Sequence, residues 1–481
     1  MKKILFVASE CVPFVKTGGL ADVVGALPKM LDKTKYDVRV VIPNYTCIKW
    51  EYRSKFKYIS HFYIDIPGSK ETRQHVGIME TQYQGITYYL IDNEYYFSGY
   101  GPYGTMPFDI EKFTFFSKAA LSILPTVGFK PDIIHCHDWQ AGLVPVFLKT
   151  IFQDNSFYWN IKTIFTIHNL KFQGIWDIKT IRQYSGLPDY LFTPDKLEFK
   201  KDANMLKGGL VYSDYITTVS NTYAGEIQMP YYGEGLDGLL RARNQSLCGI
   251  LNGIDYEEYN PASDNKIYNH YNTRNFKKEK LKNKRALQAQ LNLPVDDNKF
   301  LVGIISRLTD QKGLDLVDYA MHAICDENTQ FVVLGTGESK YENMFKHYQW
   351  VYPDRVAANI YYSDDLSHKL YAGCDALMVP SRFEPCGLTQ LISLRYGTIP
   401  IVRETGGLKD TVEPYNEYEK TGTGFTFANY NADEMLKIVN YAKKVYFEDR
   451  AEWDKMALRG MNKDFSWNHS ARVYENLYER L

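Results

Sequence analysis

The sequence predicts an α/β protein of two doubly wound domains facing a cleft, and three observations carry that prediction. Short apolar runs alternate with helix-length segments along almost the whole chain. Such runs read as buried parallel strands, and the segments between them as crossover helices covering both faces of a sheet. The alternation occurs twice, on either side of a polar stretch from Asn252 to Asn298 rich in Asn, Asp, Tyr and Lys. A length of 481 residues fits several domains at about 100–200 residues each.

The first series of strands is Ile4–Ala8, Val38–Ile42, Ile133–His137, Thr163–Ile167 and Tyr215–Val219, with helix-period segments at Leu20–Leu31, Ile110–Leu124 and Trp139–Phe152. His61–Ile66, His75–Glu80 and Ile86–Ile91 alternate apolar with polar residues and are joined by Gly- and Ser-bearing turns. They predict an antiparallel extension at the sheet edge. The second series is Phe300–Ser306, Gln330–Leu334, Asn359–Tyr362, Ala376–Pro380 and Ile399–Val402, separated by helices at Leu314–Ile324, Ser367–Ala372 and Leu388–Tyr396. Phe276–Leu291 reads as a helix opening the second domain. The expected domains are therefore 1–251 and 252–463, followed by a tail, 464–481. In that tail Trp467, Ala471, Tyr474, Tyr478 and Leu481 recur at helical spacing, with Asp464 or Ser466 available as N-cap.

Composition narrows the function. Lys plus Arg (56) nearly balance Asp plus Glu (57), which leaves no global electrostatic footprint for nucleic acid or an anionic membrane. The seven cysteines are dispersed and never form C-x-x-C, as expected of free thiols in a reducing compartment. The N-terminal apolar run ends at Ser9-Glu10, short of the ~7–15 residues of a secretory core. No run approaches the ~18 apolar residues of a membrane span. The expectation is a cytoplasmic protein.

Polar residues suited to chemistry gather where strands end, which is where open α/β sheets bind ligands. Lys16-Thr-Gly18-Gly-Leu20 opens a helix after the first strand. Its paired glycines, its cation and the helix N-terminus are laid out for a phosphate, or for an ordinary strand-to-helix turn. His135-Cys-His137-Asp138-Trp139 ends a strand, with both histidines on one face, suited to hydrogen bonding or, less readily, to a metal. Thr166-Ile-His168-Asn169 ends the next strand, so His168 should lie near Asp138. In the second half, Arg307 and Lys312 follow the first strand as two cations in one loop, able to clamp a diphosphate or simply to be solvated. Gly335-Thr-Gly337 lacks the third glycine of a dinucleotide fingerprint. Ser381-Arg-Phe-Glu384-Pro-Cys-Gly387-Leu-Thr389 sets a carboxylate before a helix N-terminus, where it could hold sugar hydroxyls or a developing cation. The stretch from Tyr95 to Tyr103, including Tyr96 and Tyr100, is punctuated by glycines and a proline. It reads as a loop whose rings could stack on sugar faces, or as packed surface. One internal echo stands out: Lys16-Thr-Gly-Gly-Leu-Ala-Asp22 against Glu404-Thr-Gly-Gly-Leu-Lys-Asp410.

Taken together, Lys16-Thr-Gly-Gly-Leu-Ala-Asp-Val-Val-Gly-Ala-Leu-Pro28, His135-Cys-His-Asp-Trp139, Ile167-His-Asn169, Leu251-Asn-Gly-Ile-Asp255, Ser306-Arg-Leu, Gln311-Lys-Gly313, Pro380-Ser-Arg-Phe-Glu-Pro-Cys-Gly-Leu-Thr-Gln390 and Thr405-Gly-Gly-Leu-Lys-Asp-Thr-Val412 resemble the bacterial glycogen synthase and plant starch synthase family. The resemblance spans essentially the whole chain in order. It implies the GT-B fold of two Rossmann-like domains, the first on the acceptor side and the second on the nucleotide-sugar side, with the last helix packed back on the first domain. It implies a retaining glucosyltransferase that moves glucose from ADP-glucose to the non-reducing end of an α-1,4-glucan such as glycogen, starch or maltooligosaccharide. The rival readings are a UDP-glucose-dependent synthase and a sugar-nucleotide epimerase of the same fold. By matching positions, Lys16, Arg307 and Lys312 would contact the diphosphate and Gly18 would lend a backbone donor. His168 and Asp138 would line the glucose, Glu384 would hold the donor sugar, and Asn252, Tyr362, Asp22 and Thr389 would complete the site. No Asp-x-Asp occurs in the chain. The expectation is therefore a reaction without metal or other cofactor, in which cations and helix termini neutralise the diphosphate.

Overall fold

Lys2–Val7 forms the first strand, β1, because its apolar run is buried on both faces; Ile4 to Val7 are wholly inaccessible. The computed structural model describes residues 1–481. They fall into two units, one of Met1–Val219, Ala224–Asn252 and Trp467–Leu481, the other of Ser220–Tyr223 and Gly253–Ser466.

In the first unit β1 is followed by β2 (Tyr36–Pro43), β3 (Lys57–Asp65), β4 (Arg73–Tyr83), β5 (Ile86–Asp92), β6 (Ile133–His137) and β7 (Lys162–Ile167). Then come β8 (Ile175–Asp177), β9 (Glu198–Phe199), β10 (Asp202–Asn204), β11 (Tyr215–Thr218) and β12 (Leu247–Gly249). Nine strands make one sheet in the order β12-β11-β7-β6-β1-β2-β5-β4-β3, while β8, β10 and β9 form a small separate sheet. The large sheet is parallel except that β4 runs antiparallel to both β3 and β5, as the alternation at 57–91 predicts. Sequence order reverses at β1, which pairs β2 on one side and β6 on the other, and the Lys16 turn and Asp138 follow those two central strands.

The second unit contains β13 (Phe300–Ile305), β14 (Thr329–Leu334), β15 (Val356–Asn359), β16 (Ala376–Val379), β17 (Ile399–Arg403) and β18 (Phe425–Phe427). They form one parallel sheet ordered β15-β14-β13-β16-β17-β18, whose order reverses between β13 and β16. A buried ion pair anchors the helix Phe276–Gln290 to this sheet: Lys284 lies 2.7 Å from Asp375, whose carboxylate also accepts the Leu301 amide.

Several boundaries differ from expectation. The strand expected at Asn359–Tyr362 is Val356–Asn359, because the residues that pair with β14 begin three positions earlier. The segment Trp139–Phe152 is a short 3₁₀ turn and then a helix ending at Lys149. Asn252 belongs to the first unit rather than opening the second. Ser220–Tyr223 belongs to the second, where the Ser220 hydroxyl donates to the Pro385 carbonyl (2.6 Å) and the Thr222 amide to Asp410 (2.9 Å).

The tail helix begins at Trp467, not Asp464. The Asp464 carboxylate accepts the Ser466 amide (2.8 Å), and the Ser466 hydroxyl is buried without a partner, so Ser466 does not cap the helix. The apolar stripe of Trp467, Ala471, Tyr474 and Tyr478 is buried within the first unit, against the helix Gly19–Met30. There the Tyr478 hydroxyl reaches His135 Nδ1 (2.9 Å) and Glu475 accepts the Asp32 amide (2.7 Å). No helix is long and apolar enough to cross a membrane.

Candidate active site

In the first unit, functional side chains gather at the ends of β1, β6 and β7. His135, His137 and Thr166 point to one side of neighbouring strands, as a two-residue period requires. His135 Nε2 lies 2.6 Å from the Thr166 hydroxyl, which lies 2.6 Å from that of Thr217. His137 Nδ1 lies 2.9 Å from His168 Nε2. The two β6 histidines therefore serve as hydrogen-bonding groups of a packed core.

Asp138 holds a conformation that favours glycine, with φ 56° and ψ −179°. Its carboxylate holds it there by accepting the His168 amide at 2.7 Å, which ties the ends of β6 and β7 together. Burial raises the Asp138 carboxyl to about 7 against the backbone hydrogen bonds that lower it. Burial lowers His168 and His135 to about 3 and His137 well below its ordinary value, so all three imidazoles are neutral at pH 7. The imidazoles at this end of the sheet are uncharged.

Lys16 precedes the helix that starts at Gly19, and its ammonium lies 2.8 Å from Asp22, one turn into that helix. A side chain on Gly18 would meet no atom within 4 Å, so packing does not require glycine here. The turn is held from below by Glu10, a buried carboxylate that accepts the Thr17 hydroxyl (2.7 Å) and its amide, and the Tyr103 hydroxyl as well. Glu10 carries no motif signal beyond its place after the first strand.

In the second unit, the loops after β13 and β16 bring Lys312 and Glu384 together at 2.6 Å. The same carboxylate oxygen, Oε2, accepts the Ser381 hydroxyl (2.8 Å). The Gln311 amide side chain donates to the Phe383 carbonyl (3.2 Å), and the Arg382 amide to the Gln311 carbonyl (2.9 Å), so the two loops are laced together. Sequence reading passed over Ser381 and Gln311; their signal is adjacency to the charged pair. Arg307 is exposed in the same loop. Thr389 opens the helix Thr389–Arg395 behind Glu384. Gly335 and Gly337 let β14's loop run against the Ser306 and Leu308 carbonyls, where a Cβ would come within 1.9 and 2.2 Å. That close packing accounts for both glycines.

Residues 3–242 match the family described as Starch synthase catalytic domain, and residues 284–459 match Glycosyl transferases group 1. The chain is 65% identical over 481 residues to glycogen synthase of Lachnospira eligens, covering 100% of both. It is 47% identical over 479 residues to that of Geobacillus stearothermophilus, covering 100% of this chain and 98% of the relative. The chain belongs to the glycogen and starch synthase family. Among solved structures, the catalytic domain of starch synthase IV from Arabidopsis thaliana bound to ADP and acarbose superposes with a TM-score of 0.92 at 32% identity, covering 100% of this chain and 99% of that one. Sucrose-phosphate synthase from Thermosynechococcus elongatus, at 16% identity and a TM-score of 0.63 over 100% and 99% of the two chains, shares the fold. This family member is thus a glucan-synthesising glycosyltransferase with the GT-B fold.

Other residues singled out in this synthase fall differently. Tyr96 is not on a loop: it lies in the helix Glu94–Phe97, is 1% exposed, stacks on Phe115 and donates to Glu111 (2.9 Å). It is a core residue and is withdrawn as an acceptor contact, because the Asn93 side chain caps a helical turn that carries Tyr96 inward. Tyr100 is fully exposed. Tyr362 is 77% exposed beyond β15, and Asn252 is buried beyond β12 with its Oδ1 unpartnered. Glu258, Asp364 and His368 bring three ligand atoms within 4.8 Å of one another, but the Lys266 ammonium pairs both carboxylates and supplies the positive charge there.

Proposed function

We propose that this synthase transfers glucose from ADP-glucose to the non-reducing end of an α-1,4-glucan, with retention of configuration, without a metal ion, in the cytoplasm. The observation that carries the proposal is the Lys312–Glu384 pair, which sets a cation for a departing diphosphate beside a carboxylate for a sugar at the order reversal of β13 and β16. The ADP and acarbose bound to the similar starch synthase favour the adenine nucleotide over the uridine one.

Breaking the glucose–phosphate bond builds positive charge on the anomeric carbon and negative charge on ADP. Arg307 and Lys312 oppose the second charge and so stabilise the transition state more than the ground state. Lys16 and the Gly18 amide add donors to phosphate oxygen, with Asp22 orienting Lys16. Glu384 holds a sugar hydroxyl, and His168 lines the glucose. Asn252, Tyr362 and Thr389 complete the ligand contacts.

Retention through a covalent intermediate requires a carboxylate close beneath the anomeric carbon. The Asp138 carboxylate is engaged by backbone and one Glu384 oxygen by Lys312 and Ser381. Both arrangements favour a front-face route in which the leaving phosphate oxygen takes the proton of the acceptor hydroxyl. The deciding experiment follows labelled glucose from ADP-glucose or UDP-glucose onto glycogen with EDTA present, then digests the product with β-amylase. The expected result is ADP-glucose-dependent transfer, insensitive to EDTA, with label released as maltose. Preference for UDP-glucose, loss of transfer in EDTA, or turnover of the nucleotide sugar without glucan would each overturn the corresponding part.

A further inference from the structure

His137 is wholly buried in the first unit, its ring packed against Phe6 (centroids 5.4 Å apart, 17° between planes) and His135 (4.3 Å, 28°). Of its two nitrogens, Nδ1 faces His168 Nε2 at 2.9 Å, and Nε2 is buried with no partner. Burial keeps both rings neutral at pH 7, so each ring carries one proton and the contact between them holds one.

Two arrangements are open to that proton, and they differ in what they strand. If His168 Nε2–H donated, His137 would carry its own proton on Nε2, leaving a buried N–H without an acceptor. If His137 Nδ1–H donates, the stranded atom is a bare nitrogen lone pair. Orphaned buried N–H groups are the rarer of the two. The backbone of His168 is fixed beside this contact, because its amide is tied to Asp138.

We infer that His137 is a positioning residue: it donates Nδ1–H to His168 Nε2, fixes His168 as the Nδ1–H tautomer, and so makes His168 a hydrogen-bond donor toward the glucose rather than a base. The role rests on the proposed placement of His168 at the glucose; the tautomer does not. His135 cannot substitute for His137, since both its nitrogens are engaged, by Tyr478 and Thr166.

The test joins a spectrum to a pair of isosteres. In protein labelled with ¹⁵N-histidine, the His168 signals, assigned by their loss in His168→Ala, should show a protonated Nδ1 and a bare Nε2. An asparagine amide places its N–H where Nδ1 stood, and a glutamine amide where Nε2 stood. His137→Asn should therefore keep kcat within about threefold of the parent, whereas His137→Gln should lower it about tenfold or more with both KM values little changed. A His168 protonated on Nε2 in the unsubstituted protein overturns the inference even if neither variant folds. Equal kcat in the Asn and Gln variants overturns the positioning role. A fully active His168→Ala with the Nδ1–H tautomer present would instead overturn the placement of His168 at the glucose, and the positioning role with it.

Discussion

The internal echo allows the two units to be compared residue for residue. Thr17-Gly18-Gly19-Leu20 and Thr405-Gly406-Gly407-Leu408 each open a helix, at Gly19 and Gly406 respectively. In the first unit a Cβ on Gly18 would meet nothing within 4 Å, and the closing Asp22 pairs with Lys16 of the same turn. In the second, Gly406 has φ +45°, its Cβ would fall 2.0 Å from the Glu384 carbonyl, and the closing Asp410 binds Thr222. One copy faces open space; the other is packed as the floor beneath Glu384. The strand ends around them differ in the same direction. The first unit sets neutral imidazoles and a carboxyl that burial raises to about 7 beside the Lys16–Asp22 pair, the second the Lys312–Glu384 ion pair. A doubly wound sheet thus provides a location, and the partner each polar group finds there decides whether it acts as a charge or as a neutral hydrogen-bonding group.

The largest effect that tests this contrast is expected at the charged end. Glu384→Ala should lower kcat by about 10²–10⁴, or ~3–5 kcal/mol of barrier, with the circular dichroism spectrum unchanged. Near-parental kcat would remove the second unit's carboxylate from the chemistry. Tyr96→Ala, by contrast, should cost stability, about 3–5 kcal/mol for a buried ring, while Tyr100→Ala leaves the melting temperature unchanged. Thermal unfolding of both variants, beside their KM for glycogen, checks this; a rise in that KM for Tyr96→Ala without a lower melting temperature would contradict the core assignment.

The carboxyl of the first unit carries its own pH signature. Asp138 has a folded pKa of about 7 against an ordinary value of 3.8, so its contribution is fully present below about pH 4 and is lost as pH rises through 7. Asp138→Asn keeps an oxygen to accept the His168 amide and removes that loss. Its melting temperature should match the parent at pH 4 and exceed it at pH 8, by on the order of 1–4 kcal/mol in stability. A difference independent of pH would show that the first unit's carboxyl is not held in a dry site. The smallest effect is expected from the echo itself. Gly18→Ala should leave the melting temperature unchanged while raising KM for ADP-glucose severalfold, whereas Gly406→Ala should lower the melting temperature through strain of about 1–3 kcal/mol. Equal behaviour of the two would dissolve the comparison.

Much of this was legible without coordinates. Apolar runs bounded by helices mark a buried parallel strand wherever both faces are covered, and Phe300–Ile305 and Ala376–Val379 follow that rule closely. The alternation at 57–91 likewise specified the antiparallel β3–β4–β5 edge. Legibility failed at the edge strand of the second sheet, where Val356-Ala-Ala-Asn is a weaker apolar signal than the tyrosines after it, and pairing with β14 decided the register. It failed again at Tyr96, because an aromatic ring next to glycines reads alike on a loop or in a core until its neighbours, Phe115 and Glu111, are known.

The sequence by itself determined the two α/β units, their strand-end loops and the residue types that carry charge, because periodicity and turn chemistry are local properties. Tertiary structure alone decided that Lys312 meets Glu384 across 72 positions, that Asp138 spends its carboxylate on the backbone of His168, and that the tail helix covers the first unit. Those outcomes depend on which strands become neighbours and how deeply each polar group is buried. Strand order and desolvation are properties of the assembled sheet, and no stretch of chain read on its own contains them.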